Sequence, residues 1–259
     1  MDLGLRDAVA VVTGASRGIG LAVVRGLVDE GAHVVAGARS SSEELAALAD
    51  TGAVDVVPVD LADPAGPAEL VRAAGDRIDV LVNNVGAVTP RLEGFLAITD
   101  EQWERSWALN LMTAVRSTRA ALPAMLAAGR GSVVCVGSVN AFLPDPGVMD
   151  YCAGKAALEN FAKALSKEVG PRGIRVNCVS PGPVATDLWL GDQGVAQTIS
   201  ASGAGTPQEI ADAAVAGTAT GRFTRPEEVA DLVVLLAGGR AGNVTGTGIT
   251  IDGGLVQTL

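Results

Sequence analysis

The chain has 259 residues, a formal net charge of −10 and a composition that is 48% hydrophobic and only 3% aromatic. That charge argues against nucleic acid as a partner, because neutralising phosphates takes basic clusters. It argues equally against an anionic membrane surface, but leaves room for one locally basic pocket. At this length a single core buries roughly three quarters of the unfolded chain's surface, so neither disulfides nor metals are needed for stability.

Short Val-rich runs alternate with helix-like segments. The predicted strands are Ala8 to Thr13, His33 to Ala38, Val54 to Val59, Asp79 to Val82, Ser132 to Gly137, Ile174 to Val179 and Gly248 to Ile251. The predicted helices are Ile19 to Glu30, Ser42 to Asp50, Ala65 to Ala74, Glu101 to Ala128, Tyr151 to Val169 and Pro226 to Leu236. Near-continuous apolar strands alternating with helices predict an α/β fold with a parallel sheet covered on both faces. Thr224-Arg-Pro-Glu227 reads as a capping box opening the last helix. There is no internal repeat and no linker, so one domain over residues 1–259 is expected. The stretch from Gly191 to Gly221, rich in Gly, Ala, Ser and Thr, reads as irregular, either a lid over the site or an ordinary surface insertion.

The three cysteines, Cys135, Cys152 and Cys178, are odd in number and lack metal-ligand spacing, so reduced core thiols and no metal site are expected. His33 is the only histidine and lies where a strand begins, which suits a structural role. No signal-peptide pattern opens the chain. No stretch approaches the ~20 apolar residues of a membrane helix. A cytoplasmic protein is expected.

The first strand ends in Thr13-Gly-Ala-Ser-Arg-Gly-Ile-Gly20. Gly14 allows the sharp turn, Gly18 lets backbone approach a pyrophosphate, and Gly20 lets helix pack on strand. The following helix N-terminus offers free N–H groups to the anion. A glycine trio in this setting predicts a dinucleotide site. An NAD-preferring site wants a carboxylate near the end of the second strand. Ala38 and Arg39 stand there instead, and no acid comes before Glu43. Arg39 can meet a 2′-phosphate with paired donors, with Arg17 as a second clamp, so NADP(H) is preferred. The competing reading makes Arg39 a solvated side chain stacking on adenine.

Tyr151 and Lys155 are four residues apart and share a helix face. A free phenol, with a pKa near ~10, is a poor base at neutral pH. A neighbouring ammonium favours the phenolate and brings the group toward acid–base use. Ser138 lies 13 residues earlier, just past the predicted fifth strand, on the edge where ligands bind.

Together these pieces resemble the short-chain dehydrogenase/reductase family over nearly the whole chain, and its 3-oxoacyl reductases in particular. The matching stretches are Thr13 to Gly20, Asp60-Leu61, Asn83-Asn-Val-Gly86, Asn110, Ser138, Tyr151, Lys155, Pro181-Gly-Pro-Val-Ala-Thr186 and Ile251-Asp-Gly-Gly254. The resemblance implies a single Rossmann-fold domain with a doubly wound seven-stranded parallel sheet ordered 3-2-1-4-5-6-7. It implies Tyr151 as general acid in ketone reduction and general base in alcohol oxidation. Ser138 would hold the substrate oxygen. Lys155 would contact the nicotinamide ribose and lower the tyrosine pKa. Asn110 would fix a water linking Lys155 to solvent. Cofactor contacts would come from Gly14, Ser16, Arg17, Gly18, Ile19, Gly20, Arg39, Asp60 on the adenine, Leu61, Asn83 along the adenosine ribose, Gly86, Pro181, Gly182, Val184 and Thr186. Most relatives are tetramers or dimers, which implies a homotetramer or homodimer joined through the helices 101–128 and 151–169. Val85 stands where the family more often has Ala. Asn140 stands where a small residue is usual; it could contact substrate or bond within its own loop.

Two donors aimed at the carbonyl oxygen, Ser138 and Tyr151, would stabilise its growing charge. The substrate pocket is expected from Val139, Asn140, Leu143, Met149 and Trp189, mostly apolar. The substrate expected is a small-molecule ketone, 3-oxoacyl or polyketide-like, reduced with NADPH. A secondary-alcohol dehydrogenase, perhaps steroid-type, would use the same residues oxidatively. A dinucleotide-binding sensor without turnover is a third reading, opposed by the intact Asn110, Ser138, Tyr151 and Lys155.

Overall fold

The computed structural model describes residues 2–258. Seven parallel strands form one sheet in the order β3-β2-β1-β4-β5-β6-β7. They are β1 (Val9–Thr13), β2 (His33–Ala38), β3 (Val54–Pro58), β4 (Val80–Asn83), β5 (Gly131–Val136), β6 (Ile174–Pro181) and β7 (Gly248–Ile251). Strand pairing puts Val11 beside Val35 on one side and beside Leu81 on the other. β2 and β4 flank β1, so the chain reverses its winding there, and a crevice must open beyond the strand ends.

The apolar runs have two faces because successive strand side chains alternate. Val12, Val34, Val82 and Val134 face α1 (Gly18–Asp29), α2 (Glu43–Ala49) and α10 (Pro226–Ala237). Val11, Val35, Leu81 and Val133 face α3 (Gly66–Ala73), α5 (Thr113–Ala128) and α6 (Met149–Val169). Burial on both faces is why the strands read as unbroken apolar runs. Each such valine contributes about 1.5–3 kcal/mol of hydrophobic burial. The three cysteines are buried free thiols.

Several boundaries differ from the sequence reading. The segment 101–128 is not one helix. α4 (Asp100–Trp107) and α5 are separated by a π-helical turn, Ala108–Met112. α4 begins with a capping box at Thr99, whose Oγ accepts from Gln102 N while Gln102 Oε1 accepts from Thr99 N. The expected capping box at Thr224 is not formed. Thr224 N donates to Pro183 O and its carbonyl accepts from Ala185 N, so its backbone belongs to a bridge with Val184. Arg225 is the N-cap of α10 instead, with Glu228 reaching back to its N–H. The segment 191–221, read as irregular, contains α8 (Val195–Ser200) and α9 (Pro207–Ala216), after a short α7 (Asp187–Leu190). A second capping box, Thr206 with Glu209, starts α9. Its small side chains carry a weak hydrophobic period, which hides the helices from sequence. Among the described residues no helix is long and apolar enough to cross a membrane.

Candidate active site

A cleft of about 1080 Å³ opens beyond the carboxyl ends of the strands. Its floor is the glycine loop. Gly14 has φ +68°, and a Cβ there would lie 2.9 Å from Val85, the valine where the family more often has alanine. Gly20 is packed more tightly: a Cβ would come within 2.1 Å of the Gly14 carbonyl oxygen. No other residue lets α1 start this close to β1. The N-cap of α1 is Arg17, and no side chain caps the helix. The first-turn N–H groups thus point into the cleft for an anion to accept. α4 and α9, by contrast, close their first turns with their own side chains. An uncapped, glycine-floored helix start fits a dinucleotide pyrophosphate.

Ser16, Ile19, Arg39, Asp60, Leu61, Gly86, Pro181, Gly182, Val184 and Thr186 all line this cleft. Arg39 is exposed and forms no ion pair among the described residues. Arg17 is engaged across the mouth, its Nη1 3.5 Å from Asp187 Oδ2. Both side chains are exposed, so the contact is weak.

Asn83 is placed otherwise than expected. Its side chain is buried, with Nδ2 donating to Thr118 Oγ at 3.0 Å, behind the sheet. The next residue faces the cleft: Asn84 donates from Nδ2 to the carbonyls of Thr13 and Gly14 at 3.0 Å. Strand alternation sends neighbours to opposite faces, and it is Asn84 that ties β4 to the glycine loop.

At the other end, four expected residues come together. Tyr151 and Lys155 project from the first turns of α6, and Ser138 follows β5. The Lys155 ammonium donates to the Val136 carbonyl at 2.8 Å and lies 5.7 Å from the Tyr151 ring centre. Asn110 occupies the π turn. Its Nδ2 donates to the carbonyls of Ala87 and Ser106 at 2.9 and 3.0 Å, and its Oδ1 accepts from Ala87 N at 3.1 Å. π turns inside helices often mark functional positions; this one aims a buried amide at the loop beside Gly86.

The electrostatics differ from the expectation that Lys155 lowers the phenol. Atoms packed around the Tyr151 hydroxyl desolvate the phenolate and push its pKa up to about 12, with the Ser138 hydroxyl pulling the other way. Lys155 is itself brought down to about 8 by burial, against the opposing fields of Cys135, Cys178 and Glu159. Burial is the largest cause in both groups, and each is driven toward its neutral form.

Of the expected substrate residues, Ser138, Asn140, Tyr151 and Trp189 line the cleft. Val139, Leu143 and Met149 do not; Val139 is turned into the core, and Leu143 offers its carbonyl to Asn140 Nδ2. Asn140 also takes the local bond, its N–H donating to Ser138 Oγ at 3.2 Å. Trp189 packs edge-on against Phe223, with ring centres 5.8 Å apart. Val195 and Ile199 of α8 complete the apolar wall.

Residues 8–193 match the short chain dehydrogenase family. The chain belongs to that family. Among curated relatives, the D-beta-hydroxybutyrate dehydrogenase of Rhizobium meliloti (strain 1021) is 32% identical over 255 residues, spanning 95% of this chain and 97% of its own length. The 3-oxoacyl-acyl-carrier-protein reductase FabG of Escherichia coli (strain K12) is 33% identical over 253 residues, 95% and 96% of the two chains. The crystal structure of L-sorbose reductase from Gluconobacter frateurii, solved with NADPH and L-sorbose, superposes with a TM-score of 0.91 at 35% identity over 100% of both chains. In this short-chain dehydrogenase, sequence reasoning missed Asn84, Asp187, Val195 and Ile199. Asn84 was legible in principle from strand alternation; Val195 and Ile199 needed the unforeseen α8.

Proposed function

We propose that this short-chain dehydrogenase is an NADPH-dependent ketoreductase in which Tyr151 protonates the substrate oxygen. The observation that carries the reading is that one cleft brings together the glycine loop, Arg39, Ser138, Tyr151 and Lys155. A phenol pushed up to about 12 holds its proton at neutral pH, and a proton donor is what ketone reduction asks of it. When bound, NADPH supplies hydride to the carbonyl carbon. The protein's part is to bind, orient and move a proton. Arg39 clamps the 2′-phosphate, and the α1 N–H groups take the pyrophosphate. Ser138 and Tyr151 direct their hydroxyls to the carbonyl oxygen, so the charge that grows there meets preorganised donors. Tyr151 then yields its proton to the alkoxide, and Lys155 is the nearest cation to the phenolate left behind.

A 3-oxoacyl or polyketide-like ketone is favoured as substrate by the apolar wall of Trp189, Val195 and Ile199 and by the FabG relatives. The segment 191–221 acts as the lid over that end. α5 and α6 are the surfaces proposed to join copies of the chain into a dimer or tetramer.

A second reading, oxidation of a secondary alcohol, is favoured by the similarity to D-beta-hydroxybutyrate dehydrogenase. Initial rates in both directions separate the two. The reductase reading expects NADPH consumption with 3-oxoacyl thioesters at neutral pH to exceed NADP reduction with the matching 3-hydroxyacyl thioesters. Faster oxidation at neutral pH, or no turnover with any ketone in the panel, would overturn it.

A further inference from the structure

We infer that Glu159 is a positioning residue for the reduction, bracing the turn that carries Ser138 and setting the field at Lys155. The inference rests on the reductase reading above. Glu159 lies one helical turn beyond Lys155 on α6, on the face packed against β5 and β6. Its Oε1 accepts a hydrogen bond from Ser180 Oγ of β6, and Ser180 is fully buried. The pair backs directly onto Gly137: a Cβ there would lie 2.7 Å from Ser180 Oγ and 3.1 Å from Glu159 Oε1. Gly137 is the single residue between Val136, whose carbonyl anchors the Lys155 ammonium, and Ser138. The carboxylate therefore supports from behind the one link that joins the two active-site anchors.

Glu159 also has a second face. It forms part of the wall of a separate hollow of about 370 Å³, together with Lys163, Cys178 and Thr247. That hollow gives the half-buried carboxyl an outlet apart from the main cleft, whose lining does not include Glu159. Burial pushes its pKa up, while Ser180 and Lys155 pull it down. The titratable groups around it are Lys155 and Lys163 on α6 and Cys178 on β6, with Cys135 on β5 facing Lys155. Lys163 is tied to the Gly246 carbonyl at 2.6 Å. Glu159 is the one carboxylate among the groups that raise Lys155, so its charge favours the ammonium that faces Tyr151.

The test separates charge from bracing. Glu159→Gln keeps an acceptor for Ser180 and removes the charge; Glu159→Ala removes both. The chain has three lysines, Lys155, Lys163 and Lys167, so NMR titration of enzyme labelled with ε-¹³C lysine follows Lys155 without any turnover. In the unsubstituted protein its midpoint is expected at about 8. In Glu159→Gln it should fall by about half a pH unit or more, as loss of a nearby opposite charge requires. Coincident midpoints overturn the electrostatic role. For bracing, Glu159→Ala should lose about tenfold in kcat with KM for ketone and NADPH held within about twofold, since misplacing a donor costs transition-state binding selectively. An unchanged kcat overturns that part. If Glu159→Ala does not fold, Ser180→Ala, which removes the donor that holds Glu159, should show the same selective loss of kcat, and an unchanged kcat there overturns the bracing role. If the unsubstituted enzyme reduces no ketone, the functional reading fails, yet the Lys155 titration still tests the field from Glu159.

Discussion

Lys155 and Asn110 converge on Gly86: a Cβ on that glycine would lie 3.1 Å from both the Lys155 Nζ and the Asn110 Oδ1. The contact ties α6, the π turn and the loop after β4 at one point. Gly86→Ala should displace the ammonium or the amide while leaving the sheet untouched. A loss of kcat of about tenfold to a hundredfold is expected, with thermal stability changed by only about 1 kcal/mol. Steady-state kinetics beside a thermal melt checks this, and an unchanged kcat contradicts the convergence.

The pH dependence of reduction follows from Tyr151. A donor must be protonated, and this phenol is pushed up to about 12. The kcat for reduction should therefore show no loss from ionisation of Tyr151 between pH 6 and about 9. An ionisation of free-tyrosine type, cutting kcat with a midpoint near ~10 or below, would contradict the burial argument. A limb near 8 that disappears in Lys155→Met belongs to Lys155.

Lys155 makes a stability prediction as well. Burial brings its pKa down to about 8 in the fold, from the ordinary lysine value near 10.5. Between those values the unfolded chain binds more protons, so this group's contribution to stability rises with pH through the window. Below pH 8 its burial is a full penalty of roughly 3 kcal/mol at most. Lys155→Met, which removes the charge but leaves the Val136 carbonyl without its donor, should be about 1–2 kcal/mol more stable at pH 7. That gain should shrink as pH rises from 8 toward 10.5. Denaturant unfolding of both proteins across that range measures it; a gain that grows with pH has the wrong sign.

The proposed preference for NADPH rests on charge at the end of β2, where Arg39 stands. Arg39→Asp removes the proposed phosphate clamp and adds repulsion, and it places a carboxylate where a ribose 2′-hydroxyl would sit. The NADPH over NADH preference in kcat/KM should fall by about a hundredfold or more, equivalent to roughly 3 kcal/mol. A preference unmoved by the substitution would leave Arg39 a solvated bystander.

The sheet was legible because its strands are buried on both faces and read as plain apolar runs; Val11 and Val12 serve opposite cores. The glycine loop was legible because Gly14 and Gly20 meet hard steric limits. Tyr151 and Lys155 were read from their helical spacing and Ser138 from its place past the fifth strand, whereas Asn110 entered only with the family resemblance. What failed depended on distant parts of the chain. The π turn at Asn110 leaves no mark in a helix-forming sequence. Thr224 looks like a cap, but a strand-like bridge with Val184 claims its backbone. Asn83 and Asn84 are identical in type, and only the register of β4 decides which faces the cleft. The direction of the Tyr151 shift is set by packing around its hydroxyl, which four residues of helical spacing do not encode.

Tyr151 is the proposed proton donor in an NADPH-dependent reduction. The most direct measurement compares Tyr151→Phe with the unsubstituted enzyme, following NADPH oxidation with a 3-oxoacyl thioester while NADPH affinity is measured by fluorescence. A fall in kcat of about a hundredfold or more at unchanged NADPH Kd is predicted. A Tyr151→Phe protein that turns over at the original rate would contradict the account.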